Sequence, residues 1–479
     1  MKINKQQKVI QIVRRTLTAA LYMIVGALPA TVTAQTCTTT ELTKVIPFDT
    51  QTLDRFGRAV DISGTNAIIG AYHDADNGLN AGAAYIFHFN GTTWIRARKF
   101  VPTDVAAEDR YGTSVSIDGN VAIVGAVYDT DLGSRSGSAY IYRFNGTSWL
   151  FDAKILASDG AIDDRFGRSV SISGDVAVVG AIWDDDNGID SGSAYVYRYD
   201  GTTWIEEAKI TASDGMTLDK YGWSVSITDN LIMVGAKWSD VTGIDSGASY
   251  IYRFDGSTWN EEAKLAPPSS LANDHFGYSV SIEGDTAVAG ATWDSDLGLK
   301  SGAAYVYRFD GTNWNEEAKL HASDGVTNDR FGYSVSISGD MVVIGDFAHP
   351  DNGLDAGSAF LYKYDGSAWV EQSELLPSDG TTGDHYGRSV ALSGNSIVVG
   401  AYFDDQGGLE AGSAYFIDIT CTAPCPADLT GDGILNFFDV SAFLGAFAAQ
   451  NPDADFNGDG SYNFFDVSAF LGAFSAGCP

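Results

Sequence analysis

Residues 163–210 read DDRFGRSVSISGDVAVVGAIWDDDNGIDSGSAYVYRYDGTTWIEEAKI and contain four short runs with the character of β-strands. SVSIS alternates between polar and apolar residues, VAVVGA is continuously apolar, SAYVYRY alternates with aromatic residues, and TTWIEEAKI is more polar. Such runs are typical of strands. The first and second runs are separated by Ser173-Gly174-Asp175, and the third and fourth runs are separated by Asp200-Gly201. These residues suit tight hairpin turns. We therefore predict a four-stranded antiparallel sheet.

This unit recurs along the chain with a constant period. A Phe-Gly or Tyr-Gly pair marks each copy, and consecutive pairs are 55 residues apart. The aromatic residues of the pairs are Phe56, Tyr111, Phe166, Tyr221, Phe276, Phe331 and Tyr386. A fixed period of this length is typical of repeat architectures, and four-stranded blades arranged radially form a propeller. We therefore predict a mainly β fold, with a seven-bladed β-propeller over residues 35–421.

The two ends of the repeat region complement each other. A lysine in the fourth run recurs with the same period, and Glu374 takes its place in the sixth copy; the lysines are Lys99, Lys154, Lys209, Lys264 and Lys319. Lys44 stands 55 residues before Lys99, in TELTKVIPF, whereas the seventh copy ends after its third run, SAYFIDIT. We therefore predict that the N-terminal segment adds the outer strand of the last blade, which covers two exposed edges.

The composition indicates a secreted protein and excludes two classes of partner. The 62 acidic and 29 basic residues give a formal net charge of −33, which argues against nucleic acid and an anionic membrane surface as partners. Residues 1–34 have the basic start, apolar centre and small terminal residues of a signal peptide. The apolar centre is short for a membrane anchor. We expect a mature protein without a membrane span.

The cysteines indicate disulfides, because an even number follows a secretory signal. All four lie outside the central repeats: Cys37, Cys421, Cys425 and Cys478. Cys37 and Cys421 fall at positions that are consecutive at the third hairpin of complete blades. We therefore predict a Cys37–Cys421 disulfide that closes the ring, with Cys37–Cys425 as the alternative. A second predicted disulfide, Cys425–Cys478, lies in the C-terminal segment.

Three elements of the repeat resemble a known family. The Phe-Gly pair, the Val-Gly-Ala about a dozen residues later and the following Gly-Ser-Ala-Tyr resemble bacterial FG-GAP repeats, relatives of the integrin α-subunit propeller. The resemblance covers residues 37–421 and implies a seven-bladed ring that binds protein or glycan ligands. Integrin repeats carry an acidic calcium loop in the first hairpin, but that hairpin is only Ser-Gly-Asp or similar here. The resemblance therefore implies no calcium site at this hairpin.

Long connections such as residues 182–193 and 212–222 lie together on one face of a propeller, which we name the long-loop face. Binding residues concentrate on such loops. The candidate ligand-binding side chains are aromatic residues and neighbouring acids: Tyr128, Trp183, Asp184, Asp186, Trp238, Trp293 and Phe403. Three interpretations stay open: packing between blades, an aromatic platform for sugar, and weak additional calcium sites. The aspartate two residues before each Phe/Tyr-Gly pair predicts a turn bond or an inter-blade pair.

No group of residues indicates catalysis. Departures from the repeat occur at Asp346, His349-Pro350 and Lys237, but they form no nucleophile and base arrangement. We predict no catalytic residues and no enzyme. The alternative is a polysaccharide lyase or glycosidase.

The C-terminal segment, residues 422–479, contains two similar loops, DLTGDGILNFFD at 428–439 and DFNGDGSYNFFD at 455–466. Oxygen ligands at positions 1, 3, 5, 7, 9 and 12 with glycine at position 6 are the calcium pattern of EF-hands. The predicted Ca2+ ligands are Asp428, Thr430, Asp432, Ile434, Asn436, Asp439, Asp455, Asn457, Asp459, Ser461, Asn463 and Asp466.

Each loop is followed by VSAFLGAF, which predicts helices from Val440 and Val467. Val440, Phe443, Leu444 and Phe447 are expected on one apolar face. The duplicated loop and helix resemble type I dockerin modules, which implies a small α-helical domain that binds two Ca2+ ions. It also implies docking to a cohesin-like domain or a cell-surface scaffold. Type I dockerin helices carry Lys or Arg, whereas these have none, so a calcium-stabilised cap without a partner is the alternative.

Together these inferences predict a secreted or cell-surface bacterial protein of binding or adhesion. The propeller engages an extracellular protein or glycan through its long-loop face, and the calcium-loaded tail tethers it. Two alternatives remain: a polysaccharide-degrading enzyme delivered by the tail, and a structural surface-layer protein.

Overall fold

The computed structural model describes residues 36–421, 427–430 and 435–476. The predicted signal peptide at 1–34, the predicted Cys425–Cys478 disulfide, and the predicted ligands Asp432 and Ile434 lie outside these residues. Two compact units are present. One is Cys37–Thr420, and the described residues that follow belong to the other.

The first unit consists of strands arranged in seven four-stranded sheets. The strands are β1 Cys37–Val45, β2 Phe56–Ser63, β3 Asn66–Ala71, β4 Ala83–Phe89, β5 Trp94–Phe100, β6 Tyr111–Asp118, β7 Val121–Ala126, β8 Ser138–Phe144, β9 Trp149–Ile155, β10 Phe166–Ser173, β11 Val176–Ala181, β12 Ser193–Tyr199, β13 Trp204–Ile210, β14 Tyr221–Thr228, β15 Leu231–Ala236, β16 Ala248–Phe254, β17 Trp259–Leu265, β18 Phe276–Glu283, β19 Thr286–Ala291, β20 Ala303–Phe309, β21 Trp314–Leu320, β22 Ser334–Ser338, β23 Met341–Asp346, β24 Ser358–Tyr364, β25 Trp369–Leu375, β26 Tyr386–Ser393, β27 Ser396–Ala401 and β28 Ser413–Cys421.

Blades one to six each contain four consecutive strands, from β2–β5 to β22–β25, joined in antiparallel order. The turns follow from local chemistry. In blade three the Asp200 carboxylate accepts the backbone N–H groups of Thr202 and Thr203 at 2.8 and 2.9 Å. Gly201 between them has φ 98°, a conformation that glycine adopts without strain. The predicted seven-bladed propeller is therefore confirmed.

The repeated glycines are explained by close contact between neighbouring blades. A Cβ atom on Gly180, in Val-Gly-Ala of blade three, would lie 2.1 Å from the carbonyl oxygen of Gly222, in Tyr-Gly of blade four. The aromatic residue of each pair fills the core beside this contact. Phe166 packs edge-to-face on Tyr195, with ring centroids 5.5 Å apart. Their apolar cluster also contains residues of blade two, including Ile141, so the core lies between blades.

Blade seven closes the ring as predicted. Its sheet has the order β1-β28-β27-β26, so the N-terminal strand supplies the outer position. Cys37 and Cys421 are disulfide-bonded to each other, which confirms the predicted pair and rules out Cys37–Cys425. The side chain of Thr38 also donates to the carbonyl oxygen of Thr420 at 3.3 Å. The ring is therefore closed by both a hydrogen-bonded strand and a covalent bond.

The second unit contains helices α1 (Phe437–Ala449) and α2 (Phe464–Ala476) and one turn of 3₁₀-helix at Pro452–Ala454. Both helices begin three residues before the predicted starts. The reason is capping: Asn436 accepts the N–H of Phe438 at 2.7 Å, and Asp439 accepts the N–H of Asn436 at 2.9 Å. The last loop residues therefore already belong to the helices.

The helices share a small aromatic core. The rings of Phe443 and Phe470 stack with centroids 4.1 Å apart, and both side chains are 1% exposed. Val440 and Phe447 pack against them, but Leu444 is 55% exposed. The prediction of Leu444 in the apolar face was therefore wrong, because two paired helices bury only a narrow stripe. Within the residues that the structure describes, no helix is long and apolar enough to cross a membrane.

Candidate functional site

The long-loop face is shaped by a buried aspartate in each inter-blade connection. In blade three the carboxylate of Asp164 accepts the backbone N–H of Ala161 at 2.6 Å. The equivalent bond to the residue three positions earlier is formed by Asp54, Asp109, Asp219, Asp274, Asp329 and Asp384. Burial, reinforced by Asp184, raises the pKa of Asp164 to about 6. These aspartates therefore make the predicted turn bond and position the loops.

The predicted aromatic residues pack against cations from the same face. The Arg165 guanidinium lies 3.2 Å from the ring centroid of Trp183, and the Lys220 ammonium of the next blade lies 4.5 Å from it. Tyr128, Trp238, Trp293 and Phe403 have similar neighbours. All five rings are half-buried. Cation–π contacts of this kind join adjacent blades, as in the packing interpretation.

The predicted acidic side chains surround a lysine. In blade three the Lys209 ammonium lies 2.8 Å from Asp159, 2.8 Å from Asp184 and 2.5 Å from Asp186. Asp184 is buried and Asp186 is exposed. Burial opposes the charge on Lys209, but the hydrogen bonds to these carboxylates hold its pKa above the ordinary value. An ammonium group therefore lies where the acid spacing suggested a weak calcium site.

This lysine centre recurs in other blades. Lys99, Lys154 and Lys319 each contact the two loop aspartates of their own blade. Lys44, on the closing strand β1, contacts Asp379 and Asp404 at 2.8 and 2.6 Å. The fourth-strand lysine is thus a structural counter-ion of the long-loop face.

The channel at the centre of the ring is cationic and aromatic, which the sequence analysis did not predict. One residue from each blade lines it, two positions after the aromatic residue of the Phe/Tyr-Gly pair. These residues are Arg58, Thr113, Arg168, Trp223, Tyr278, Tyr333 and Arg388. Arg168 lies 4.3 Å from the Trp223 ring and Arg388 lies 4.1 Å from the Tyr333 ring. Burial, and then the neighbouring Arg58, lower the pKa of Arg168. The signal in the sequence was an arginine two residues after the aromatic residue of only some repeats.

At the long-loop end the channel opens into a cavity of ≈ 180 Å³. The charged and aromatic residues that line it are Arg58, Arg110, Arg165, Arg168, Arg388, Tyr72, Tyr128 and Tyr402. In the described part of the chain, the buried Nε atoms of Arg110, Arg165 and Arg388 have no hydrogen-bond partner. Guanidinium groups in this state are suited to binding carboxylate, sulfate or phosphate oxygens.

The C-terminal loops bring the described predicted ligands close together. In the second loop Asp455 accepts the N–H of Gly460 at 2.8 Å, and Asn457 donates to Asp459 at 3.0 Å. Asp466 accepts the N–H of Asn463, and this bond lowers its pKa. Ser461 and Asn463 are the other predicted ligands in this loop.

In the first loop Thr430 donates to Asp428 and Asp439 at 3.2 and 2.8 Å. Asn436 is the remaining described ligand of this loop. Carboxylate, amide and hydroxyl oxygens are the donor set that Ca2+ prefers, so these residues fit the ion.

Comparisons with known proteins place most of the chain in one family. No curated protein matches the chain. Among solved structures, a chain from the "Crystal Structure of Mitotic Checkpoint Complex" matches 79% of this chain and 93% of its own length, with 12% identity and a TM-score of 0.48. A family model described as "FG-GAP repeat" matches seven segments: 39–87, 94–142, 149–197, 204–252, 259–307, 314–362 and 369–417. Because these segments cover most of the chain, it belongs to the FG-GAP repeat family.

Proposed function

We propose that this protein is a secreted or cell-surface binding protein whose propeller captures an anionic extracellular glycan at the long-loop end of its channel. The observation that carries the proposal is the arginine-lined cavity in a chain with a net charge of −33. Elsewhere the acidic surface repels anionic polymers, so attraction is focused on this opening. The cavity is small, which suits an acidic substituent or a terminal sugar.

Aromatic residues favour a glycan over other anions. Tyr72, Tyr128 and Tyr402 line the same cavity as the arginines, and aromatic rings provide flat apolar surface for the faces of sugars. Guanidinium groups bind carboxylate and sulfate groups through paired hydrogen bonds. A uronate or a sulfated sugar presents both features, whereas a free inorganic anion presents only one.

Binding of the mature chain to arrays of neutral, uronate and sulfated glycans tests the proposal. Arg168→Ala should weaken binding of the acidic glycans at least tenfold, as expected for the loss of a charge-assisted hydrogen bond. Arg198→Ala is the matched control, because Arg198 lies outside the channel and forms a 2.7 Å ion pair with Glu207. Equal binding by wild type and Arg168→Ala would overturn the proposal, as would binding to acidic peptides alone.

The C-terminal unit is proposed to bind two Ca2+ ions and to tether the propeller to a cohesin-like domain or surface scaffold. Exposed apolar side chains support a partner: Phe437, Phe438, Phe464 and Phe465 are 76%, 68%, 76% and 68% exposed. They occupy the same two positions in each loop, so they form a duplicated surface. Exposed aromatic groups of this size mark interaction sites.

Capture of cell-surface proteins by the mature chain in calcium tests the tether. Phe437→Ser combined with Phe464→Ser should abolish capture while the far-ultraviolet circular dichroism spectrum stays unchanged. Leu150→Ser is the control, since Leu150 is a 49% exposed apolar residue of the propeller. Capture that persists in the double variant would favour a cap without a partner.

The enzyme alternative is favoured by one observation. Lys237 lies 3.3 Å from the Trp223 ring in the channel, and burial, followed by Arg168, lowers its pKa to about 7. An amine whose pKa is lowered toward 7 is suited to act as the general base that removes a proton from a uronate. Ultraviolet absorbance of unsaturated sugars, measured with the glycans that bind, separates the two functions. A structural surface-layer protein would instead self-associate in calcium and bind no glycan.

A further inference from the structure

Blade six departs from the lysine centre of the other blades. Asp159, Asp184, Asp186 and Lys209 of blade three correspond, 165 residues later, to Asp324, His349, Asp351 and Glu374. The ammonium is therefore replaced by a carboxylate, and one carboxylate is replaced by an imidazole. The central ammonium is lost while three acids remain, and only the His349 imidazole stands among them in its place.

We propose that this blade-six centre binds a divalent transition-metal ion, of which Zn2+ is the representative, through Asp324, His349, Asp351 and Glu374. The Nε2 atom of His349 lies 3.2 Å from Asp351, 3.6 Å from Asp324 and 3.6 Å from Glu374. One ligand atom from each of the four residues lies within 4.8 Å of the others. Tetrahedral Zn2+ with bonds of about 2.1 Å places its ligands about 3.4 Å apart, so the geometry fits.

Among the residues that the structure describes, buried groups of this centre form ion-pair contacts but no hydrogen bonds. His349 is 1% exposed, and neither of its ring nitrogens forms a hydrogen bond within the described residues; the same holds for the buried Oε1 atom of Glu374. In blade three the corresponding groups are hydrogen-bonded to Lys209. Buried polar groups of native proteins are otherwise almost always paired. A bound cation supplies the pairing that hydrogen bonds do not provide here.

A second pair of carboxylates lies behind the histidine. The Nδ1 atom of His349 is 3.4 Å from Asp329 and 3.8 Å from Asp346. A carboxylate at the far nitrogen orients a metal-bound histidine and increases its basicity. Asp346 is fully buried, and both its oxygens lack hydrogen bonds in the region that the structure describes. It stands where blade three has Ala181.

The strand pairing beside Asp346 differs from that in blade three. In blade three Phe166 pairs with Ala181, whereas β22 begins only at Ser334 and the equivalent pair of Phe331 with Asp346 is not formed. A buried carboxylate that accepts no hydrogen bond is costly. A dication bound at the Nε2 atom of His349, across the ring from Asp346, offsets part of this cost electrostatically.

The ligand chemistry selects the class of ion. Ca2+ and Mg2+ take oxygen ligands almost exclusively, whereas one imidazole nitrogen with three carboxylates suits Zn2+ and its first-row neighbours. The side chains of Asp324 and Asp351 are 44% and 42% exposed. The centre is therefore open to solvent on the long-loop face and leaves access for the ion.

Titration of the metal-free mature chain with Zn2+ tests the proposal, in millimolar Ca2+ so that the C-terminal loops are saturated. We expect one tight equivalent per chain. Glu374→Lys restores the ammonium of the other blades and should remove that equivalent, and His349→Asp should do the same. His88→Ala is the control for adventitious histidine binding, because His88 is exposed in blade one, and it should leave the equivalent intact.

Two results would overturn the proposal: no saturable Zn2+ equivalent in the wild type, or one that persists in Glu374→Lys. X-ray absorption spectroscopy of the zinc-loaded wild type identifies the zinc ligands directly, so this test does not depend on whether the variants fold. The expected spectrum has one imidazole nitrogen and carboxylate oxygens around zinc. A spectrum without imidazole would also contradict the assignment.

Discussion

The aspartate before each Phe/Tyr-Gly pair combines a structural bond with an unfavourable charge. Asp164 accepts the N–H of Ala161, which an uncharged amide oxygen also could accept. Because burial raises its pKa to about 6, above the value of 3.9 in an unfolded chain, the folded state binds more protons between these values. This contribution therefore favours folding below pH 4 and is progressively lost as the pH rises to about 6.

We expect Asp164→Asn to stabilise the propeller at neutral pH. The amide keeps the turn bond and removes the buried charge, so the free energy of unfolding relative to wild type should rise by roughly 2 kcal/mol between pH 4 and pH 7. Urea denaturation at the two pH values measures this difference. A difference that does not change with pH would contradict the assignment.

Asp159→Asn is the matched control at the same face. Its carboxylate is bonded to Lys209 and Tyr195, and against the effect of burial these bonds lower its pKa. A lowered pKa stabilises the folded state above pH 4, so removal of this charge should destabilise the propeller at pH 7. The two variants should therefore shift stability in opposite directions.

At the scale of elements, the sequence predicts what is local or periodic. The four strands of each blade, their turns and the closing strand follow from alternation, Asp-Gly turns and the period of 55 residues. The helix starts were displaced by one turn, because Asn436 could be read either as a calcium ligand or as a cap. Its side chain caps α1.

The channel and the blade-six centre could not be predicted in the same way. Arg58, Arg168 and Arg388 are separated by 110 and 220 residues, and only the ring brings them together. Asp346, His349 and Glu374 are each recognisable as departures from the repeat, but their meeting point depends on how a loop, a strand end and the outer strand converge. Three-dimensional closure is the information that a linear period lacks.

The closing strand leads to a prediction for the Cys37–Cys421 disulfide. It closes a loop of nearly the whole propeller, and chain entropy assigns such a bond a stabilisation of about 5 kcal/mol at most. Cys37→Ala with Cys421→Ala should therefore lower the melting temperature of the propeller by several degrees. Calorimetry of the double variant measures the shift.

The same double variant should remain a monomer, because β1 still pairs with β28. Deletion of residues 37–45 removes the strand itself and exposes the edge of β28, so this variant should associate. Size-exclusion chromatography separates the two effects. Association of the cysteine variant would show that the disulfide, and not the strand, protects the edge.

At the scale of the whole molecule, the two units differ in their supply of basic side chains. Lysine ammonium groups neutralise the acidic loops of most blades, so the propeller carries its own counter-ions. The C-terminal unit has two helices and a small core around Phe443 and Phe470, and no Lys or Arg follows Cys421. A unit of this size needs bound metal or disulfides for stability.

Removal of calcium should therefore unfold the C-terminal unit and leave the propeller intact. The experiment uses the Glu374→Lys variant, because this variant lacks the proposed zinc site and a chelator therefore cannot act by removing zinc from the propeller. Calcium at a thousand times its dissociation constant stabilises a folded site by about 4 kcal/mol, so the lower calorimetric transition should disappear in EGTA while the propeller transition keeps its temperature. Asp466→Ala, which removes a fully buried predicted ligand, should reproduce the effect in calcium. A propeller transition that also moves in EGTA would place functional calcium within the ring and contradict the view that lysine is its counter-ion.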